Sequence, residues 1–378
     1  MSHLYTYRHG RRFLRDAGNY PLPVDLEELN RQNLRTLMFM QVFGTPFCSE
    51  FDKPPKKILE LACGSAIWSS ICHDYFKREG QSNVSFTGLD IVPVAGDLKK
   101  QGVNWRFVQH DLRKRPLPFE KEEFDFIFVS DAMAMMATGT GTPTNPVASL
   151  EPYLKPGGMV EVWESDIVFR SLMPEPTTAP GTATEDAKQA EKSATYTISA
   201  VTPFAKTRNV FILDYNLWVE RALLNLGLPT TPCALLGFGF SSHADGFEPE
   251  GNRRIAIPFS HIRWEDDNAP NQPNKMKKLG PGKGPAKQQT SVGRTYKPLT
   301  PDQAALRRTA LTVVTGLIEA LEPLLMAESG KKQDEWDRWW GGMMSDLFEN
   351  DGTINGECLE IGAWWARKTR TRSTPKKS

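Results

Sequence analysis

The sequence predicts an α/β protein built on a mostly parallel, seven-stranded sheet. Three observations carry that prediction. Across residues 56–165, short apolar runs alternate with amphipathic segments of helical period. The first run is followed by small residues and then by a helix pattern. That run ends near an acid, and the next two runs close on acids. Strand–helix alternation of this kind places helices on both faces of a parallel sheet.

The elements follow in order. Residues 1–55 are polar, then helical in pattern. Leu26, Leu29, Leu34, Leu37, Met38 and Val42 recur near helical spacing after Pro21 and Pro23. Asp25 is placed to cap that helix, and Glu28, three residues on, completes a capping-box pattern. The core occupies 56–265. Its strand-like runs are Ile58–Ala62, Val84–Asp90, Trp105–Gln109, Phe124–Val129 and Met159–Glu164, with a helix over Trp68–Arg78. Residues 166–209 form a Thr-, Ala- and Pro-rich excursion with a helix around Thr184–Ser193. A helix over Phe211–Leu226 stops at Gly227 and Pro229, and Arg253–Phe259 reads as a sixth strand. Residues 266–298 are dominated by Pro, Gly, Asn and Lys, the composition of a flexible basic linker. Residues 299–358 hold a helical insertion with helices over Asp302–Ala327 and Lys332–Glu349. Leu359–Ala366 reads as the last strand, followed by a basic tail to 378.

Bulk properties exclude several classes. A net charge of +1 gives no global pull toward nucleic acid or an anionic membrane, so no nucleic-acid partner is expected. No run of 18 apolar residues occurs, so no membrane span is expected. The five cysteines form no C-x-x-C pair and no Cys/His cluster of zinc spacing. No metal site follows, and a reduced intracellular chain is expected. The cytosol is the default location, with the nucleus open to a chain carrying basic runs.

The chemistry concentrates in Ile58-Leu59-Glu60-Leu61-Ala62-Cys63-Gly64-Ser65-Ala66-Ile67-Trp68. Small residues at the carboxyl end of a strand let the backbone approach a ligand closely. The helix that follows presents its first amide groups there. Asp90 closes the second strand, where a carboxylate can accept both hydroxyls of a ribose. Asp111 closes the third, where it can accept from an adenine amine. Asp111 is equally placed to cap the loop before Arg113. A dinucleotide-binding enzyme would share several of these features. However, Ala62, Gly64 and Ile67 occupy the positions of its G-x-G-x-x-G motif, and Glu60 would crowd a pyrophosphate.

Together with Tyr153-Leu154-Lys155-Pro156-Gly157-Gly158, these pieces resemble the class I S-adenosylmethionine methyltransferases. In that family the first strand ends E/D-x-G-x-G-x-G, the second ends in an acid, and K-P-G-G precedes the fifth. The resemblance implies a Rossmann-like fold and S-adenosylmethionine as cofactor. Glu60 and Gly64 would hold its methionine end, Asp90 its ribose and Asp111 its adenine amine. Ala62, Leu112 and Ser130 complete the implied cofactor contacts. The departures are Ala62 and Ala66, where the pattern has glycine and where alanine disfavours positive φ. The segment Tyr20-Pro21-Leu22-Pro23-Val24-Asp25-Leu26-Glu27-Glu28-Leu29-Asn30-Arg31 fits Y-x-L-P-x-D-x-x-E-x-x-R. It is similar to the fungal LaeA-like methyltransferases, which sit in or regulate secondary metabolism.

The expected activity is transfer of a methyl group to oxygen, nitrogen or carbon of a small, partly apolar acceptor. The alternatives are a protein-directed regulatory methyltransferase in the nucleus, suggested by the basic runs, and a non-catalytic binding protein on the same fold. Methyl transfer needs mainly alignment of the two partners, so no catalytic dyad stands out. Asp131 and Glu164, at the ends of the fourth and fifth strands, are the candidate catalytic residues. Asp166, His243 and His261 are further conceivable bases. Trp336, Trp339, Trp340, Trp364 and Trp365 read either as a helix and the last strand packing their rings together or as the wall of an acceptor pocket. Residues 299–350 are placed to lid the acceptor site. Tyr5, Tyr7, Arg8, Arg11 and Arg12 either fold over the cofactor or are solvated.

Overall fold

A computed structural model describes residues 4–15, 19–130, 147–174, 185–199, 201–241, 246–266 and 298–370. Asp131, His243, nearly all of the basic linker with its lysines, and the tail from 371 lie outside the described residues.

The chain opens with an antiparallel hairpin, β1 (Tyr5–Arg8) and β2 (Arg11–Leu14). His9 and Gly10 both take positive φ at its tip, the backbone that a two-residue hairpin turn requires. The hairpin is a structured element rather than a solvated end. Next comes α1 (Leu26–Phe43), and Asp25 caps it by accepting from the Glu28 N–H. The reciprocal half of the capping box is absent. The Glu28 carboxylate instead turns along the helix to Arg31 and Gln32.

The central elements are β3 (Lys57–Leu61), α2 (Ile67–Arg78), β4 (Ser85–Asp90), β5 (Asn104–Gln109), β6 (Phe124–Val129) and β7 (Leu154–Ser165). Three short strands and three helices follow: β8 (Arg170–Leu172), α3 (Glu185–Ser193), β9 (Tyr196–Thr197), β10 (Phe204–Lys206), α4 (Val210–Asn225) and α5 (Pro232–Ser241). The chain closes with β11 (Phe247–Pro258), α6 (Pro301–Ala320), α7 (Glu322–Ser329), α8 (Gln333–Glu349) and β12 (Glu357–Lys368).

The main sheet runs β5-β4-β3-β6-β7-β12-β11. Strands β5, β4, β3, β6 and β7 are parallel, and β12 is antiparallel to both its neighbours. All seven expected strand runs therefore form. Among the described residues the sheet nevertheless has ten strands, because β8, β9 and β10 are added near the β12 side. They are two or three residues long, too short to show a period in the sequence. Strand order reverses direction at β3, between β4 on one side and β6 on the other. That is the switch point at which open α/β sheets leave a crevice outside the carboxyl ends of their strands.

One face of the sheet is covered by α1 and α2. Trp68 of α2 stacks on Phe128 of β6 at 3.9 Å with parallel rings, and its indole N–H donates to the Pro46 carbonyl at 2.7 Å. Glu161 of β7 is fully buried beneath the same layer. Its carboxylate accepts from the backbone N–H groups of Cys48 and Ser49, from the Ser49 hydroxyl and from the Trp163 indole. These bonds pin the loop that leads from α1 into β3. Among the described residues no single helix is long and apolar enough to cross a membrane.

The expected helix over Asp302–Ala327 is two helices, α6 and α7, bent by 66°. Pro323 lies in the first turn of α7, and its ring and missing N–H cannot continue α6. Helix α6 packs along α1, which makes it a backing layer. The tryptophans divide rather than forming one cluster. Trp336 and Trp339 of α8 pack on Trp218 of α4, with centroids 6.2 and 4.9 Å away. Trp364 of β12 is buried in the cluster that lies on α5. Both groups are core.

Arg307 of α6 joins the C-terminal helices to the rest. Its guanidinium is fully buried. It donates to the carbonyls of Ala194 and Ser260 and forks onto Glu265 at 2.9 and 2.8 Å. Arg307→Met would remove the cation from that carboxylate, which would keep the Tyr196 hydroxyl and the Ile262 N–H, and would leave those carbonyls without their donor. It should cost about 3 kcal/mol, read from urea unfolding; a loss under about 1 kcal/mol would contradict this role.

Candidate functional site

The site begins with the turn between β3 and α2. Ala62, Gly64 and Ala66 all take positive φ, at 53°, 48° and 62°. These are the positions at which glycine was expected, and the backbone keeps its shape although two of the residues are alanine. A left-handed L-residue costs roughly 1–2 kcal/mol, so neighbouring bonds must hold the turn. Cys63 N–H donates to the Leu89 carbonyl at 3.1 Å, and Ala66 N–H to the Cys63 carbonyl at 2.7 Å. Gly64 N–H donates to Asp90 Oδ2 at 2.8 Å.

Asp90 closes β4, and its Oδ1 accepts from the Val92 N–H at 3.0 Å. Asp111 follows β5 and both caps and pairs Arg113. It takes that residue's backbone N–H at 3.0 Å and its guanidinium at 2.9 Å on each oxygen. Burial alone would raise the Asp111 carboxyl, but the Arg113 bonds outweigh it and hold it below the usual range. Ala62, Gly64, Asp90, Asp111 and Leu112 line one cleft of about 780 Å³, measured with its open mouth.

The opposite wall comes from the N-terminal segment, with Leu14, Tyr20, Pro23, Val24, Glu28 and Gln32 among its residues. A clip holds this wall in place. Arg11 forks onto Asp25 with both bonds at 2.8 Å, and Arg12 donates to the Val24 carbonyl. Burial raises the Asp25 carboxyl, yet the Arg11 fork and the N–H groups of Glu28 and Arg12 bring it down to about 2. Residue-level reading missed Glu28 and Gln32 as cleft residues. The signal was present, because the Tyr20–Arg31 pattern is the segment that forms the wall.

Other expected residues sit elsewhere. Glu60 is not in the cleft. Its side chain points from β3 into the layer under α2, where Ser69 donates its N–H and hydroxyl to it at 3.2 and 2.6 Å. Burial pushes its carboxyl up to about 8, with Asp90 adding to the rise and the Ser69 bonds opposing it. Ser130 follows β6 outside the cleft lining, and its carbonyl accepts from Arg35 at 2.6 Å. The same guanidinium binds Glu164 at 2.5 Å and Ser165 Oγ at 3.3 Å. Arg35, unmarked in the sequence reading, thus ties α1 to the ends of β6 and β7. Asp166 pairs with Arg170 and accepts the Cys233 N–H of α5; burial and Glu360 raise its carboxyl. His261 is exposed. No residue of 299–350 lines the described cleft.

The family model described as a methyltransferase domain matches residues 58–158. A search of curated proteins returns no match. Solved structures with similarity include a phosphoethanolamine N-methyltransferase from Haemonchus contortus, bound to phosphomonomethylethanolamine and S-adenosylhomocysteine. It is 12% identical, with a TM-score of 0.39, over 88% of this chain and 57% of that one. A geranyl diphosphate methyltransferase in complex with GPP and sinefungin is 11% identical, with a TM-score of 0.38, over 89% and 78%. The YcgJ protein from Bacillus subtilis is 13% identical, with a TM-score of 0.36, over 88% and 97%.

Two substitutions test the turn. Ala62→Gly should relieve the left-handed strain. It should leave stability unchanged or raise it by up to about 1 kcal/mol, where glycine at an ordinary position costs roughly 0.5–1 kcal/mol; urea unfolding measures the sign. For Glu60, the folded carboxyl at about 8 lies above its ordinary value of 4.5. Folded-state stability is therefore lost as pH rises between those values, because the unfolded chain releases the proton first. Glu60→Gln should remove that dependence. Its stability advantage over the parent should grow from pH 5 to pH 8, to on the order of 1–3 kcal/mol. Equal curves for the two proteins at both pH values would show that Glu60 does not hold its proton.

Proposed function

We propose that this chain, whose residues 58–158 are a methyltransferase domain, binds S-adenosylmethionine in the cleft and methylates a small acceptor. The observation that carries this reading is the convergence of Gly64, Asp90, Asp111 and Leu112 on one cleft closed by the N-terminal wall. The residues fit the group. Gly64 leaves room at the turn, since a Cβ there would stand 3.5 Å from Gln32 and Leu29. The bonds from Gly64 and Val92 fix the orientation of the Asp90 carboxylate, which lines the cleft where a ribose diol would lie. Ile91, Val92, Val94 and Leu112 provide apolar walls beside Asp111 for a flat base. The bound cofactor would supply a methyl group activated on a sulfonium.

The acceptor would meet that methyl over the ends of β6 and β7, beside Ser130 and Glu164. There Arg35 holds the Glu164 carboxylate in place. Glu164 is the described residue best placed to take an acceptor proton. The wall segment's likeness to the LaeA-like pattern supports an acceptor from secondary metabolism, with the cytosol as the working location.

Calorimetric titration with S-adenosylmethionine and S-adenosylhomocysteine tests the cofactor reading. Micromolar binding is expected, with Asp90→Ala weakening it at least about tenfold through loss of two hydrogen bonds to the ribose. A folded protein that binds neither compound would leave the fold without this function.

A further inference from the structure

The helix α1 carries a polar chain that ends at the turn. Glu28 is almost completely buried. Its two oxygens take the Arg31 guanidinium, Oε2 from Nε at 2.8 Å and Oε1 from Nη2 at 2.6 Å. Oε1 also accepts from the Gln32 amide, Nε2, at 2.9 Å. That last bond decides which way the Gln32 amide faces. The flipped amide would set its oxygen against a carboxylate oxygen, two acceptors in contact. Gln32 Oε1 therefore points away from Glu28. It lies 3.5 Å from the position a Gly64 Cβ would take, on the wall of the cleft. Among the described residues, no donor reaches it.

We propose that Gln32 Oε1 is the acceptor for the α-ammonium group of the cofactor's amino-acid end, with Glu28 and Arg31 as the positioning pair that holds the amide in this orientation. The proposal rests on the S-adenosylmethionine reading above and deepens it. Gly64 marks the end of the cleft remote from Asp111. A ligand with its base at Asp111–Leu112 and its ribose at Asp90 brings its amino-acid end to Gly64. An ammonium needs acceptors, and a neutral amide oxygen oriented by a buried carboxylate supplies one without placing a second full negative charge beside Asp90. Charge-assisted bonds of this kind are the stronger class of hydrogen bond.

Three ligands test it on the full chain by calorimetry: S-adenosylhomocysteine, its analogue lacking the α-amino group, and 5′-methylthioadenosine, which lacks the amino-acid end. The parent should bind S-adenosylhomocysteine about tenfold more tightly than the deaminated analogue. Gln32→Met should lose about tenfold for S-adenosylhomocysteine and stay within about twofold for the other two. Glu28→Gln should show a smaller loss confined to the same ligand. The proposal is overturned if the parent binds the deaminated analogue as tightly as S-adenosylhomocysteine, or if Gln32→Met weakens all three ligands alike. Should the variants not fold, the parent's own comparison of the first two ligands decides. A folded parent that binds 5′-methylthioadenosine as well as it binds S-adenosylhomocysteine has no amino-acid subsite, and the inference fails while the nucleoside site stands. Binding of none of the three sinks the cofactor reading itself.

Discussion

The turn from Ala62 to Ala66 is the constraint on which the rest of the site depends. Three left-handed residues within five reverse the chain at the carboxyl end of β3 and start α2 directly above the strand. Two of the three are alanine, so the geometry is sustained against an intrinsic preference. What sustains it is tertiary. Leu89 and Asp90, at the end of β4, take the N–H groups of Cys63 and Gly64. The neighbouring strand thus fixes the turn, and the acid that shapes the cleft is also the acid that holds the backbone in place.

Helix α1 is the second organising element, because it contacts nearly everything the site needs. At its first turn Asp25 is clipped by Arg11, which draws the hairpin against the wall of the cleft. Along the same side Glu28, Leu29 and Gln32 face the turn. Ser65 donates its hydroxyl to Asn33 at 2.6 Å, locking helix and turn together. A little further on, Arg35 spans to the ends of β6 and β7 and lies over the Phe39 ring at 4.8 Å. One helix therefore links the cofactor side of the switch point to the acceptor side. Helix α6 packs along it and shares its apolar core.

Acids of the same kind take different roles through their surroundings. Glu60 is buried with Ser69 as its one donor among the described residues, and burial drives its carboxyl upward. Glu161 is equally buried and its carboxyl is raised as well, although donors on both oxygens oppose the push of burial. Asp25 and Asp111 each face an arginine fork and are held low. Residue type and strand position alone do not separate these cases. The donors range from two residues away, as Arg113 is from Asp111, to more than a hundred, as Cys48 and Ser49 are from Glu161.

The sequence by itself determined the sheet, the order of its strands along the chain and the places where small residues and acids end them. These features are local: period, strand length and turn chemistry are written within a few residues of one another. Asp90, Asp111, Gly64 and Leu112 were legible as neighbours for that reason, since consecutive parallel strands end on one edge. Glu60 was misread because its position in the motif says nothing of which face its side chain takes, and β3 directs it under α2. The added strands β8 to β10 and the hairpin were too short to show a period. The break between α6 and α7 was passed over although Pro323 marked it. Only the tertiary structure decided that the N-terminal segment is the far wall of the cleft and that helix α6 packs along α1. It also decided that the tryptophans belong to two cores. Each of these depends on contacts between residues far apart in the chain, such as Arg35 with Glu164 and Trp218 with Trp339, and no periodicity or motif encodes which surfaces will meet.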